Sequence, residues 1–270
     1  MSRLWRDEVA IYLAPRKLVL VRRARGPGRR VAAAAEVAIP DGTGGDVAPV
    51  LARLADVLRE PAWRGAAARA LVADPWARYA ILPWPSTRLD AAERLAHARC
   101  VLVDAYGEAV ADWTVTVADI PPGRPSIACA MPATLRGALE DTLAQARVKL
   151  VSLRPQLIAA FNAWRRHLPA GDAWFISVDD GSLAAVHLHD GAWDRVHTAR
   201  LSSDWRVELE RLHAFSRLTR AAGALDPMFV DAPRWMRTGA VGGPGIEWLD
   251  DRANDAAQAY ELALLQKVHA

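Results

Sequence analysis

Hydrophobic and polar residues alternate in two stretches of the chain, and both stretches predict the same order of elements. The first predicts three short strands and a helix with hydrophobic residues at helical spacing: Val9–Leu13, Lys17–Val21, Val31–Ile39 and Asp46–Arg59. The second predicts that order again: Trp174–Asp179, Leu183–His189, Trp193–Leu201 and Asp204–Arg220. A β-β-β-α unit that occurs twice in 270 residues indicates two related lobes facing each other across a cleft.

Further strands and helices follow each unit. The pattern predicts these additional strands, with helices between most of them: Ala68–Ala73, Trp76–Leu82, Trp113–Val117, Ser126–Met131, Lys149–Leu153, Met228–Val230 and Gly245–Leu249. Three antiparallel strands followed by α-β-α-β, used twice, is the order of the duplicated actin-like, ribonuclease-H-like α/β fold.

The segment Leu168–Asp172 is the predicted junction between the lobes. It places lobe I at 1–167 and lobe II at 168–270. A last helix is predicted after Asp250, and it is able to pack back toward lobe I.

Composition narrows the class of protein. Hydrophobic residues make up 52% and charged residues 24% of the chain, which is ordinary for a globular protein. No stretch approaches the roughly 18 apolar residues of a membrane span, and the N-terminus carries charges where a signal peptide needs an apolar core. The net charge of +3 is too small to indicate a nucleic-acid partner. We therefore expect a cytoplasmic protein.

An actin-like nucleotide site needs two glycine-containing hairpin turns whose amides surround the phosphates, each near an aspartate that organises Mg²⁺. The first turn, Leu13–Lys17, contains neither glycine nor acid, and Pro15 lacks an N–H. The second turn keeps four residues of a phosphate loop, although Asp-Gly is also a common hairpin turn: Asp179, Asp180, Gly181 and Ser182. We expect no cofactor and no catalysis. The alternative is a divergent sugar-kinase-fold ATPase that retains ATP and Mg²⁺.

Aromatic residues and an arginine cluster on one predicted strand. Trp76, Tyr79 and Trp84 accompany Arg78, and the flanking prolines favour a sheet edge. These residue types dominate interface energetics, and an edge strand accepts an extended peptide by main-chain pairing. The sequence thus predicts a partner-binding site, with ordinary core anchors as the competing interpretation.

Three histidines lie on two predicted neighbouring strands. His187, His189 and His197 occupy positions that share one face. Zinc needs a further donor or a water, together with groups that orient the ligands. Polar residues on a solvated hairpin face explain the pattern equally well, and we expect no metal site.

Three segments resemble proteins that assemble pili and secretion systems. Ala128–Ala133 and Val148–Pro155, each followed by a helix, resemble the centre of the pilus-assembly protein PilM. Asp74–Trp84 resembles a segment of the cytoplasmic domain of the type II secretion protein GspL and of its pilus relative MshI.

The resemblance implies a non-enzymatic actin-like scaffold of a type IV pilus or type II secretion-like platform. PilM-like proteins hold the short cytoplasmic tail of a single-span inner-membrane partner. GspL-like proteins contact the assembly ATPase, but they continue into a transmembrane helix. The sequence predicts no transmembrane helix, so we expect PilM to be the closer model. That model implies attachment to the inner membrane through the partner. A stand-alone oligomerising module is a third possibility.

Overall fold

The computed structural model describes residues 7–24, 31–40, 46–119, 121–179, 181–201, 205–219, 226–232 and 245–249. Within these ranges the strands are β1 Glu8–Leu13, β2 Lys17–Arg23, β3 Val31–Ala38, β4 Ala67–Val72, β5 Arg78–Leu82, β6 Thr114–Val117, β7 Ser126–Met131, β8 Lys149–Pro155, β9 Ala173–Asp179, β10 Ser182–His189, β11 Ala192–Arg200, β12 Met228–Asp231 and β13 Ile246–Trp248. The helices are α1 Ala48–Leu58, α2 Ala91–Tyr106, α3 Ala133–Gln145, α4 Gln156–Trp164 and α5 Trp205–Thr219.

The first sheet has the strand order β3-β2-β1-β4-β8. Its central strand β1 is antiparallel to β2 and parallel to β4. Alternate residues of β1 point to opposite faces of the sheet. Val9, Ile11 and Leu13 belong to one buried cluster that also contains Leu54 of α1 and Leu139 of α3. Helices α1 and α3 therefore pack on the same face of this sheet.

On the opposite face, buried polar contacts fix the start of α4. The Tyr12 hydroxyl donates a hydrogen bond of 2.8 Å to Oε1 of Gln156. The Leu157 backbone N–H donates to the Asp74 carboxylate at 3.1 Å. The first N–H groups of a helix have no partner inside the helix, so Asp74 supplies an acceptor for one of them.

The second sheet repeats the first, with the order β11-β10-β9-β12-β13. Its central strand β9 is antiparallel to β10 and parallel to β12. Trp174 and Ile176 of β9 pack with Leu209 of α5 in a second buried cluster. The same order, directions and helix placement in both sheets confirm the predicted duplicated α/β fold.

The chain between β4 and α3 forms a third, smaller sheet, which we call the insertion (residues 78–130). Its strand order is β5-β7-β6, and β5 pairs with β7 in antiparallel register. Helix α2 packs on it through Ala98 and Leu102. The Asp90 side chain accepts a hydrogen bond from the Glu93 N–H, and the Glu93 side chain accepts one from the Asp90 N–H. This reciprocal capping box fixes where α2 begins.

The described chain divides into two compact units. Among the described residues, the first contains 7–77 and 131–159, and the second contains 78–130 and 160–249. The insertion is thus grouped with the second sheet. The lobe boundary predicted at Leu168 stays a prediction, and the helix predicted after Asp250 lies outside the described residues.

Two predicted elements differ from the structure near prolines. The predicted strand Trp76–Leu82 is a short 3-10 helix at Asp74–Trp76 followed by β5. The predicted strand Lys149–Leu153 is longer in the structure, because β8 continues to Pro155, which pairs with Val72. Strand β8 lies at the edge of its sheet, where a residue without an N–H is tolerated.

We predict that Leu139→Ala lowers the free energy of unfolding by about 3 kcal/mol, because Leu139 is fully buried and its removal leaves a cavity. Val151→Ala on the edge strand β8 is the control. Its side chain is 53% exposed, and we expect a change below about 0.5 kcal/mol. Urea unfolding measures both, and equal effects would contradict the assigned core.

Candidate functional site

The turn between β1 and β2 offers few donors to a phosphate. The Ala14 N–H donates to the Lys17 carbonyl at 2.9 Å, and the Lys17 N–H donates back at 3.4 Å. Pro15 has no N–H. The Arg16 amide is therefore the one turn donor left over, whereas a phosphate loop directs several amides at its ligand.

The turn between β9 and β10 keeps a glycine that the backbone requires. Gly181 has φ of +107°, a region that other residues rarely adopt. Asp179 and Ser182 pair across the turn, and both are buried. Asp180 lies outside the described residues. Asp179, Gly181 and Ser182 thus belong to a β-hairpin, and a role of the four motif residues in nucleotide binding stays a prediction.

Sequence reasoning missed a buried polar strip at the ends of β9 and β12. Asp231 pairs in register with Ser177, and Asp179 follows two residues further along β9. The three side chains therefore share one face of the sheet, and all are buried. The only signal in the sequence was a polar residue at alternate positions of otherwise hydrophobic strands.

His187 lies between two carboxylates. Its Nδ1 is 3.0 Å from Oδ2 of Asp194, and its Nε2 is 3.1 Å from Oδ2 of Asp226. The ring also packs against Trp174, with centroids 4.9 Å apart. Both ring nitrogens are engaged, which leaves neither for a metal ion.

The other two histidines do not join His187. His189 is exposed and has Nδ1 3.0 Å from an oxygen of Asp172. His197 is also exposed, at the register position of Ala185. Among the described residues, no group of three or more histidine, cysteine or acidic side chains is arranged to hold a metal ion.

The predicted partner-binding residues are not brought together on one surface. Trp76 is 1% exposed and belongs to the core of the first unit. Tyr79 is equally buried, and its carbonyl accepts a hydrogen bond from the Tyr106 hydroxyl at 2.9 Å. Trp84 is 49% exposed. The core-anchor interpretation thus fits the burial of Trp76, and Trp84 alone among the three rings reaches solvent.

Arg78 is held by aromatic rings of the insertion. Its guanidinium carbon is 5.7 Å from the ring centroid of Tyr106 and 5.5 Å from that of Trp113. Burial lowers the pKa of Arg78, and repulsion from Arg200 of β11 acts in the same direction. Strand β5 also contacts β11, so the edge predicted to accept a peptide already has a neighbour.

Trp84 borders a concave surface that we call the Trp84 groove. The groove lies within the insertion and has a volume of about 300 Å³. It is formed by the chain after β5, the first turns of α2 and the loop from β6 to β7. The Ser126 hydroxyl donates to the Ala118 carbonyl at 2.9 Å and closes that loop. Pro83 and Pro85 flank Trp84 and restrict its backbone.

Arginines surround the Trp84 groove, and sequence reasoning missed them. Arg88, Arg94 and Arg124 line it, with Asp119 as the one acid. Arg94 and Asp119 are 3.8 Å apart, but the Asp119 side chain is 98% exposed, so the pair is weak. No single segment of the sequence contains all three arginines, which is why no local pattern indicated the site.

No protein-family model matches the chain, and no curated protein matches it in sequence. Solved structures do match. One is the PilM–PilN type IV pilus biogenesis complex, with a TM-score of 0.64, 16% identity and 97% of each chain covered. Another is the cytoplasmic domain of EpsL, an inner-membrane component of the type II secretion system of Vibrio cholerae. It has a TM-score of 0.58 and 11% identity over 97% of this chain and 94% of that one.

A third match is a Bacteroides thetaiotaomicron protein of unknown function with an actin-like ATPase fold. Its TM-score is 0.57 at 10% identity, over 85% of this chain and 84% of that chain. The fold is actin-like. The matches to PilM and EpsL confirm, at the level of the fold, the resemblance predicted from three segments.

Within the described ranges, no helix combines the length and apolar character needed to cross a membrane.

We predict that His187→Ala lowers the free energy of unfolding by about 2 kcal/mol, because it removes two hydrogen bonds to carboxylates inside the second unit. His189→Ala is the matched control, two residues away on the same strand. His189 is 64% exposed, so we expect its loss to cost less than about 1 kcal/mol. Urea unfolding at neutral pH compares them, and a larger effect at His189 would refute the assignment.

Proposed function

We propose that this chain is a non-enzymatic, actin-like scaffold of a type IV pilus or type II secretion-like assembly platform. The observation that carries the proposal is the match of nearly the whole chain to two structures named for such machines. Identity to both is low, so the similarity itself concerns the fold. The proposed role follows from both matches belonging to one kind of assembly.

The proposed partner is the short cytoplasmic segment of an inner-membrane protein. The solved PilM chain is in a complex with PilN, and EpsL is an inner-membrane component of its system. We propose that this chain works on the cytoplasmic side of the membrane and is attached there through its partner. We propose an assembly ATPase as a second partner of the chain.

The first hairpin turn favours a scaffold over an enzyme. The Ala14 and Lys17 N–H groups donate to each other's carbonyls, and Pro15 contributes no donor. Tight binding of a triphosphate requires several amides or cations around the phosphates. We therefore propose that the chain does not depend on nucleotide hydrolysis. The buried acids Asp179 and Asp231 serve the interior of the second unit in this proposal.

We expect purified protein to show no Mg-ATP hydrolysis and no rise in melting temperature with ATP and Mg²⁺. A ligand present at about 100 times its Kd would stabilise the fold by about 2.7 kcal/mol, which a thermal scan detects easily. Asp179→Ala is the control for any residual activity. Hydrolysis that disappears in this variant would favour the divergent ATPase instead.

We expect the protein to bind the cytoplasmic segment of a short single-span membrane protein encoded beside it. Calorimetry with the synthetic segment measures the affinity, and a scrambled segment of equal composition is the control. If none of the neighbouring single-span proteins supplies a segment that binds, the scaffold proposal fails. Light scattering on the same samples distinguishes a complex from self-association, which is the outcome that an oligomerising module predicts.

A further inference from the structure

The Trp84 groove has the composition of a docking site. Four large hydrophobic side chains are well exposed in the described part of the chain, namely Val31, Trp84, Val151 and Val207, and Trp84 is the aromatic one. Tryptophan and arginine are the residues that most often contribute large shares of binding energy at interfaces. Trp84 and three arginines border the groove, and all four residues lie within a single unit.

We propose that the Trp84 groove binds an extended, acidic peptide segment that carries a large apolar side chain. The inference rests on the proposed scaffold role, because it names the chemistry of one partner segment. In this arrangement the apolar side chain packs on Trp84 and the groove floor. The acidic residues on either side pair with the arginines.

The charge of the groove selects an acidic partner. Arg88 and Arg124 form no ion pair within the described ranges, and Arg94 has only the solvent-exposed Asp119. The three arginines thus exceed the acids by two charges. A carboxylate accepts two parallel hydrogen bonds from a guanidinium, which gives both attraction and a defined geometry. A basic segment would be repelled from the same surface.

The shape of the groove favours a peptide over a globular surface. A volume of about 300 Å³ has room for one or two side chains, not for a folded domain. Pro83 and Pro85 hold the rim in a restricted conformation, so binding costs little ordering of the groove. The capping box at Asp90 and the Ser126–Ala118 bond fix the other walls. An extended segment with one anchoring side chain suits such a site.

A peptide selection tests this inference while the natural partner is still unidentified. Random short peptides displayed on phage are selected on the wild-type protein and then sorted by loss of binding to Trp84→Ala. We expect the peptides lost in this variant to be acidic and to share a large apolar residue. Absence of such peptides, or a neutral or basic composition among them, overturns the inference.

Fluorescence anisotropy of one selected peptide then separates the contributions. We expect Trp84→Ala and the double variant Arg88→Glu/Arg124→Glu each to weaken binding at least about tenfold. Trp84→Phe keeps an aromatic surface and should retain most of the affinity. Higher salt should weaken binding to the wild type more than binding to the double variant, because screening acts on the charge pairs.

The matched control reverses charges at a second arginine-rich concavity. Arg59 and Arg147 line a surface between the ends of α1 and α3 in the first unit. Arg59→Glu/Arg147→Glu changes the net charge of the protein as much as the groove variant does. We expect it to leave peptide affinity unchanged. Equal losses of peptide affinity in both double variants would show that the loss follows the net charge of the protein. That result would overturn the assignment of the Trp84 groove as the binding site.

The inference and the proposed function fail in different ways. If the membrane segment binds the protein but the selected peptides ignore the groove, the scaffold stands and the groove assignment is wrong. If the protein hydrolyses ATP while acidic peptides still require Trp84, the groove stands and the scaffold proposal is wrong. Circular dichroism of each variant verifies the fold, which Trp84→Ala should preserve because its ring is half exposed.

Discussion

The pairing of the central strand in each large sheet is the constraint on which the rest of the structure depends. Strand β1 has an antiparallel neighbour on one side and a parallel neighbour on the other, and β9 has the same two kinds of neighbour. An antiparallel neighbour needs only a tight turn, whereas a parallel one needs a crossover that contains a helix. This requirement places α1 and α5 against the sheets and leaves the hairpin turns at the strand ends.

Much of this architecture follows from the sequence because the central strands are buried on both faces. Val9–Leu13 and Trp174–Val178 are nearly continuous hydrophobic runs, a pattern typical of strands that are buried on both faces. The order of elements then restricts the topology. Strand β8 was harder to predict at its end, because a proline in an edge strand looks locally like the start of a helix.

The candidate site was only partly predictable. Trp76, Tyr79 and Trp84 are alike in residue type and lie close together in the sequence, yet two are in cores and one reaches solvent. Their burial depends on packing partners that are distant in the sequence: Trp76, for example, belongs to the same buried cluster as Leu139 of α3. Conversely, the first hairpin turn was predictable, since a missing glycine and a proline have local effects on the backbone.

The place where the insertion leaves the parent sheet has a consequence for how the chain folds. Strand β4 must find β8 across more than 80 residues, because Ala67 pairs with Lys149. Closing a long flexible loop costs entropy, and each halving of its length saves about 0.6 kcal/mol. Arg78 pairs with Ala130, so the two ends of the insertion are adjacent once its own small sheet has formed. If this small sheet forms first, the effective loop that the β4–β8 pairing must close is much shorter. The insertion therefore lowers the entropy cost of joining β4 to β8 once its own strands have paired.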